Sequence, residues 1–218
     1  MSFPCSEKSL SIPGFPGLWP TSKSKELTFV ARRSRSIQFP PPCEGIERVH
    51  SLTALGVVIN DRLSATDHVS AVLSSCSGLL YALRILHTHG MPTASVHDVF
   101  RATVVAKILY CSPAWFGLCS AADRSRLNAF LRRCKRYNYC PSDFPAVEDL
   151  FSDADDTSLF ERFVNNSLHV LHPILPQKST QPYNLRERRH SYSLLENTSE
   201  LNERDYITRI PVLYKNCY

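Results

Sequence analysis

The stretch Thr66-Asp-His-Val-Ser-Ala-Val-Leu-Ser-Ser-Cys-Ser-Gly-Leu-Leu-Tyr-Ala-Leu-Arg-Ile-Leu-His87 decides the fold of this chain. Its apolar residues recur at steps of three and four, the spacing that places them on one face of an α-helix. These residues are Val69, Val72, Leu73, Cys76, Leu79, Leu80, Leu83 and Leu86. Thr66 or Asp67 is expected to cap the helix, and Gly90 and Pro92 to end it. The sequence therefore predicts a long helix with one buried face.

Further helices are predicted downstream. One begins after Pro92, with Thr93 or Ser95 as its cap, and runs to about Leu109, with Pro113 expected to stop it. Another covers roughly residues 122–137 and buries Leu127, Phe130, Leu131 and Cys134. Two more amphipathic patterns cover residues 144–151 and 157–171. Because the connections are short, we expect a mainly α fold, a small antiparallel helical bundle with one or two short N-terminal strands and irregular termini.

The remaining chain divides into three regions. Residues 1–50, rich in proline and serine, are expected to form a poorly ordered leader with one short strand at 26–30. Residues 51–171 hold a strand at 55–60, followed by a turn at Asn60-Asp61 and the helices. Residues 172–218 form a basic, proline-containing tail that we expect to be extended. The 15 prolines concentrate in these two outer regions, which supports the division.

Charge, cysteine content and the length of apolar runs bear on where the protein acts and on what it contacts. The formal net charge is +5, compatible with nucleic-acid contact and with many other roles. No secretory h-region opens the sequence, so the eight cysteines are expected to be reduced thiols of an intracellular protein, with nuclear and cytoplasmic locations both open. No apolar run is expected to span a membrane.

Six basic residues in the third predicted helix are the candidate functional site. Lys and Arg side chains on one helix can neutralise phosphates and gain affinity through counterion release, without reading sequence. Tyr137 and Tyr139 follow, where an aromatic ring could stack on an unpaired base. A solvated helix face that only keeps the protein soluble is the alternative. The six residues are Arg124, Arg126, Arg132, Arg133, Lys135 and Arg136.

Other constellations favour structural roles. Asp153, Asp155 and Asp156 superficially resemble a polymerase carboxylate pair, but their place between two helical patterns favours a capping or solvated-loop role. Cys111, Cys119, Cys134 and Cys140 contain no C-x-x-C pair, so buried or surface thiols are favoured over a zinc site. No nucleophile elbow and no phosphate-binding glycine-rich loop occurs. We predict no catalytic residue, no metal and no cofactor.

Two ordered segments carry a family resemblance. Leu55-Gly-Val-Val-Ile-Asn-Asp-Arg-Leu-Ser-Ala-Thr-Asp-His68 and Tyr110-Cys-Ser-Pro-Ala-Trp115 resemble the region just downstream of the polymerase palm in reverse transcriptases of non-LTR (LINE-like, jockey/CR1-type) retrotransposons, especially tick and mite transposon sequences. The resemblance extends over roughly residues 20–218. It includes Tyr81-Ala-Leu-Arg84, Phe100-Arg-Ala-Thr103, Asp123-Arg-Ser-Arg-Leu127 and Tyr183-Asn-Leu-Arg-Glu-Arg-Arg-His190.

The resemblance implies the last strand of the palm followed by a thumb-like helical region. The family's aspartate-bearing strand and its Tyr/Phe-Ala-Asp-Asp hairpin find no counterpart before Ser22. We therefore expect a truncated, non-catalytic relative that binds RNA, DNA or an RNA–DNA hybrid without sequence preference. The alternatives are a helical protein-interaction module that self-associates through exposed apolar helix faces, and a translated remnant without function.

Overall fold

The structure is a computed structural model and describes residues 24–29, 39–153, 159, 161–162, 164–175 and 177–178. The described part is mainly α, as predicted, and it carries two small sheets of two strands each. Of the expected helix at 157–171, residues 159, 161–162 and 164 are helical, but residues 165–171 form bends and turns, so the helical conformation ends earlier than predicted. Asp153 is the last residue of a short helix, whereas Asp155, Asp156 and the basic part of the tail lie outside the described residues.

Four short strands precede the helices, where one or two were expected. Strand β1, Lys25–Leu27, pairs in parallel with β2, Glu47–Val49. Strand β3, Ser51–Ala54, pairs antiparallel with β4, Val57–Asn60. Strand β2 thus lies inside the predicted irregular leader.

Leu55 and Gly56 form the turn of the β3–β4 hairpin and do not belong to the strand predicted there. Both have positive φ, +48° at Leu55 and +81° at Gly56. Two residues of positive φ form the type I′ turn that matches the twist of paired strands. A leucine is unusual at such a position, because its Cβ crowds the backbone there.

Helix α1 spans Thr66–Thr88, which confirms the opening prediction. Its buried residues are His68, Val69, Val72, Cys76, Leu80 and Leu83. Neither predicted cap is used: the N-cap is Ala65, and no side chain caps the helix. Thr66 instead bonds to Asp123, and Asp67 accepts a hydrogen bond from Asn60 at 2.8 Å.

The length and composition of α1 correct one sequence expectation. The helix has 23 residues and a mean hydropathy of 1.6 over an 18-residue window, enough by length and composition alone to cross a membrane. Only 28% of that window is buried inside the described structure. The core helix of a soluble protein passes the same test, so the finding by itself assigns no membrane.

The second predicted helix is one continuous helical segment with a π turn inside it. Helix α2, Thr93–Phe100, leads into the π turn at Arg101–Val105 and then into α3, Ala106–Leu109. The segment ends because Tyr110 and Cys111 leave the helical conformation, with φ +52° at Cys111. Pro113 does not stop it; this proline lies in the first turn of the next helix, α4, Ser112–Trp115.

The third and fourth predicted helices complete the core. A short 3-10 turn, Phe116–Leu118, connects α4 to α5, Ala121–Arg136, which buries Leu127, Phe130, Leu131 and Cys134 as predicted. Helix α6, Val147–Asp153, follows, and a 3-10 turn lies at His172–Ile174.

Asn128 of α5 accepts a hydrogen bond from the Val147 backbone at 3.1 Å, and its amide nitrogen contacts both carboxylate oxygens of Glu148.

The neighbours of α1 run in opposite directions. The segment from α2 to α3 returns antiparallel along it, since Gly90 ends the turn between them and Cys76 lies 4.0 Å from the Val104 carbonyl oxygen. Helix α5 runs parallel to α1, because contacts from the start of one helix meet the start of the other. Successive antiparallel helices place the first and the third in the same direction, so the directions of these three segments agree with one another.

Candidate nucleic-acid interface

Helix α5 begins at a capping box that also ties it to α1. The Ser120 hydroxyl accepts a hydrogen bond from the Asp123 backbone at 3.1 Å, and the Asp123 carboxylate accepts one from the Ser120 backbone at the same distance. That carboxylate also accepts bonds from the Ser120 hydroxyl at 2.7 Å and from the Thr66 hydroxyl at 3.0 Å. Serine at the N-cap with an acid three residues later is the pattern that starts a helix.

The Asp123 carboxylate is almost fully buried and remains ionised. Burial alone raises the pKa of this group. The hydrogen bonds from Ser120 and Thr66, together with the Arg126 charge at 3.5 Å, outweigh burial and hold the pKa of Asp123 below its ordinary value. The acid therefore fixes both the start of α5 and the position of Arg126.

The six predicted basic residues do not form one surface. At about 100° per residue, α5 distributes them in three pairs around the helix. Arg126 and Arg133 lie on the flank that faces α1. Each reaches a serine there: Arg126 donates to Ser70 at 2.9 Å, and Arg133 donates to Ser77 at 3.3 Å.

Arg124 and Lys135 lie on the opposite flank and are half-buried. The Arg124 guanidinium lies 4.9 Å from the centroid of the Phe116 ring, whose other neighbour, Phe151, stacks on it at 4.0 Å. The Nε atom of Arg124 is buried and has no hydrogen-bond partner within the described part of the chain. Lys135 donates to the Phe144 carbonyl oxygen. These two cations are engaged in packing within the molecule.

Arg132 and Arg136 point away from the core and are exposed. Neither forms an ion pair with any residue that the structure describes. With Arg126 and Arg133, which are exposed as well, they make an arc of four guanidinium groups on the outer side of α5. Guanidinium groups on an exposed helix can contact phosphate oxygens through charge-assisted hydrogen bonds. We call these four residues the arginine arc.

The two tyrosines at the end of α5 have different environments. Tyr137 is 57% exposed, whereas Tyr139 is buried. Their ring centroids lie 6.0 Å apart, so Tyr139 supports the ring of Tyr137 from the core side. Sequence reasoning overlooked Tyr81 of α1, which is 66% exposed. The signal that could have found it is the position of this aromatic residue on the side of α1 opposite the buried apolar face.

The two segments that carry the family resemblance meet in space. The Tyr110 hydroxyl donates to the Leu55 carbonyl oxygen at 3.2 Å, so this tyrosine covers the hairpin turn. Trp115 packs against His68 with ring centroids 4.8 Å apart, and its indole nitrogen donates to the Tyr110 carbonyl oxygen at 3.0 Å. These residues join the hairpin to the helices.

His68 is buried as a neutral ring. Burial lowers the pKa of this histidine, since a charged imidazolium is poorly solvated there. Its Nδ1 atom lies 3.3 Å from the Val58 backbone nitrogen and accepts that hydrogen bond, which assigns the proton to Nε2. A ring held in this way acts as a packing residue of the core.

The described cysteines are free thiols, and four of them are buried. Burial raises the pKa of Cys76 to about 11 and that of Cys119 and Cys134 to about 12. Such thiols are poor nucleophiles and poor metal ligands at neutral pH. Among the described residues, no group of three or more His, Cys, Asp and Glu side chains is arranged to hold a metal ion.

Comparison with known proteins adds no relative. No family model matches the chain, and neither a curated protein nor a solved structure matches it.

Proposed function

We propose that the protein is a small helical module that binds nucleic acid without sequence preference, through the arginine arc of α5. Exposure of four arginines on one side of a single helix carries the proposal. A rigid row of guanidinium groups can neutralise backbone phosphates, and the released counterions supply the free energy of binding. Phosphate contacts of this kind position a protein on nucleic acid and read no bases.

The helix that carries the arc is anchored to its neighbours, and two of the four arginines have contacts that orient them. Helix α5 is fixed at its start by the Ser120–Asp123 capping box and along its length by contacts to α1 and α6. The Arg133 guanidinium also lies 5.3 Å from the centroid of the Phe130 ring, which limits its rotation. Pre-ordered side chains lose less conformational entropy when they bind. In this proposal the helices act together as one small bundle, with α1 at its centre.

Binding to a labelled primer–template duplex, followed over a range of salt concentrations, tests the proposal. The affinity is expected to fall steeply as salt rises. Changing Arg132 and Arg136 to glutamine should reduce the slope of the logarithmic plot by about 1 for each arginine that contacts a phosphate. The matched control changes Arg101 and Lys107, two exposed cations of the α2–α3 segment, to glutamine. Absence of binding at low salt, or equal slopes for the two double variants, would refute the proposal.

We further propose that this module is a non-catalytic derivative of a non-LTR retrotransposon reverse transcriptase. The support is the order and spacing of the segments at 55–68 and 110–115. A primer-extension assay with Mg²⁺ and deoxynucleotides should give no templated product. Templated synthesis by the purified chain that persists after contaminating polymerases have been removed would contradict the proposal.

A second candidate function is a helical protein-interaction module that self-associates. The observation in its favour is the outer side of α1, where Tyr81, Ile85 and Leu86 are all exposed. Apolar exposure of this kind is typical of interaction surfaces. Sedimentation should then show association that persists in high salt and that Ile85→Glu weakens. A monomer at all salt concentrations would exclude this function and leave the nucleic-acid proposal intact. Failure of both tests would leave the remnant without function as the remaining explanation.

A further inference from the structure

Helices α1 and α5 are in register along the surface that they share. Ser70 pairs with Arg126 and Ser77 pairs with Arg133, and each pair is separated by 56 positions in the chain. Because the two helices run parallel, equal steps along both keep residues level with one another. The two pairs are seven residues apart, which is about 10.5 Å along the helices.

The same offset leads from Tyr81 to Tyr137. One turn beyond the second serine–arginine pair, an exposed tyrosine of α1 therefore lies level with the exposed tyrosine at the end of α5. The surface has a cationic portion with hydroxyl groups and then an aromatic portion. We call it the α1–α5 seam; its residues are Ser70, Ser77, Tyr81, Arg126, Arg133 and Tyr137.

We propose that the α1–α5 seam binds an unpaired nucleic-acid strand, with the two arginines on its phosphates and the two tyrosines stacked on its bases. This inference rests on the proposed function and specifies its ligand. A base inside a duplex has both faces covered by its neighbours, so an exposed tyrosine gains little from it. Each base of an unpaired strand offers a free face, and stacking on it does not depend on sequence.

The hydroxyl groups of the seam suit the same ligand. Ser70 and Ser77 orient the two guanidinium groups. The arginine side chains therefore lose less conformational entropy when they bind a phosphate. The hydroxyl proton of Ser70 is donated to the Thr66 carbonyl oxygen at 2.9 Å and that of Ser77 to the Leu73 carbonyl oxygen at 2.8 Å, so each hydroxyl oxygen is held in position to accept from its arginine. The support of Tyr137 by the buried Tyr139 holds one of the two stacking rings in place.

The experiment compares fluorescently labelled single strands of twenty thymidines and of twenty uridines with a hairpin duplex. Wild-type protein should bind both single strands more tightly than the duplex at equal salt. The Tyr81→Ala, Tyr137→Ala double variant should lose about tenfold or more in affinity for the single strands and keep its affinity for the duplex. Its salt dependence should be unchanged, because the tyrosines contact no phosphate. The thymidine and uridine arms show whether DNA, RNA or both are bound.

The matched control is the Tyr81→Phe, Tyr137→Phe double variant, which keeps both rings and should bind like wild type. Circular dichroism and thermal melting of each variant establish that it is folded. A duplex preference in the wild type, or an equal loss for duplex and single strand in the alanine variant, would overturn this inference and leave the proposed function standing. If the wild-type protein binds none of the three probes, the proposed function itself is overturned.

Discussion

At the scale of single residues, Asp123 joins the start of α5 to the start of α1. Its carboxylate receives hydrogen bonds from the start of its own helix and from Thr66 of α1. It also pairs with Arg126, one member of the arginine arc. A buried acid with several donors stabilises a fold only while all of its partners are in place.

Replacing Asp123 with alanine should lower the free energy of unfolding by about 2 kcal/mol, since it removes the capping box and leaves the Thr66 hydroxyl without this acceptor. Urea denaturation followed by circular dichroism measures the change. The control is Asp98→Ala, which removes an exposed acid from α2 and should change stability by less than about 0.5 kcal/mol. Equal effects of the two substitutions would contradict the role given to Asp123.

The depressed pKa of Asp123 also predicts a pH dependence. Its pKa is lower in the folded than in the unfolded chain, so its contribution to stability is complete above the unfolded value, about 3.9. The contribution disappears as the pH falls through the folded value. The difference in stability between wild type and Asp123→Asn should therefore be largest near neutral pH and should shrink in acid. A difference independent of pH would show that the carboxylate charge is unimportant.

At the scale of elements, α6 is positioned by one side chain of α5. Asn128 accepts a hydrogen bond from the backbone of Val147, the first residue of α6, and donates to Glu148 in its first turn. Glu148 has a pKa below its ordinary value, chiefly because of the hydrogen bond from Asn128. A short helix depends strongly on such contacts, because isolated helices of this length are unstable in water.

Asn128→Ala should lower the free energy of unfolding by about 1 kcal/mol, the usual effect of losing a helix cap. Hydrogen exchange of the α6 amides should accelerate by more than the loss of global stability explains. The α1 amides should accelerate only by the amount that the loss of global stability predicts. Ser125→Ala, an exposed substitution on the same helix, is the control. Unchanged exchange in α6 of the asparagine variant would contradict this account.

The sequence predicted helices better than it predicted their ends and neighbours. Periodic apolar residues identified α1 and the buried face of α5, because burial of a stripe is a property of one helix alone. The caps of α1 were wrong because Thr66 and Asp67 bond to side chains elsewhere in the chain. The stop assigned to Pro113 was wrong as well, because the left-handed conformation at Cys111 ends the segment first.

The candidate site could be predicted only as a set of residues. Sequence placed six basic residues on one helix, but it could not show that Arg124 and Lys135 pack inward. That outcome depends on Phe116 and Phe144, which belong to other segments. Tyr81 was overlooked for the same reason, since its relation to Tyr137 follows from the parallel packing of two helices far apart in the chain.

At the scale of the whole molecule, Trp115 links the separate parts of the described fold. It is buried against His68 of α1 and Phe151 of α6, and it bonds to the Tyr110 carbonyl oxygen. The segments that carry the family resemblance thus meet around this indole ring. Both segments therefore contribute to the same part of the core.

Trp115→Ala should lower the free energy of unfolding by about 3–5 kcal/mol, the range for removing a large buried aromatic side chain. That loss is a large share of the 5–15 kcal/mol typical of a folded domain. The variant should therefore melt at a much lower temperature than wild type when followed by circular dichroism. Trp115→Phe keeps an aromatic ring and should lose less. Similar melting temperatures for alanine variant and wild type would show that the core does not depend on Trp115.

The leucine at the hairpin turn has a consequence for the order of events during synthesis. Leu55 has a positive φ, which is unfavourable for a residue with a Cβ atom. The Tyr110 hydroxyl, which donates to the Leu55 carbonyl oxygen, belongs to a residue 55 positions later in the chain. A nascent chain whose Tyr110 is still inside the ribosome therefore has the strand pairing but lacks this additional contact to the turn. The hairpin is expected to form late, after both helices of the first antiparallel pair, although its strands are synthesised before them.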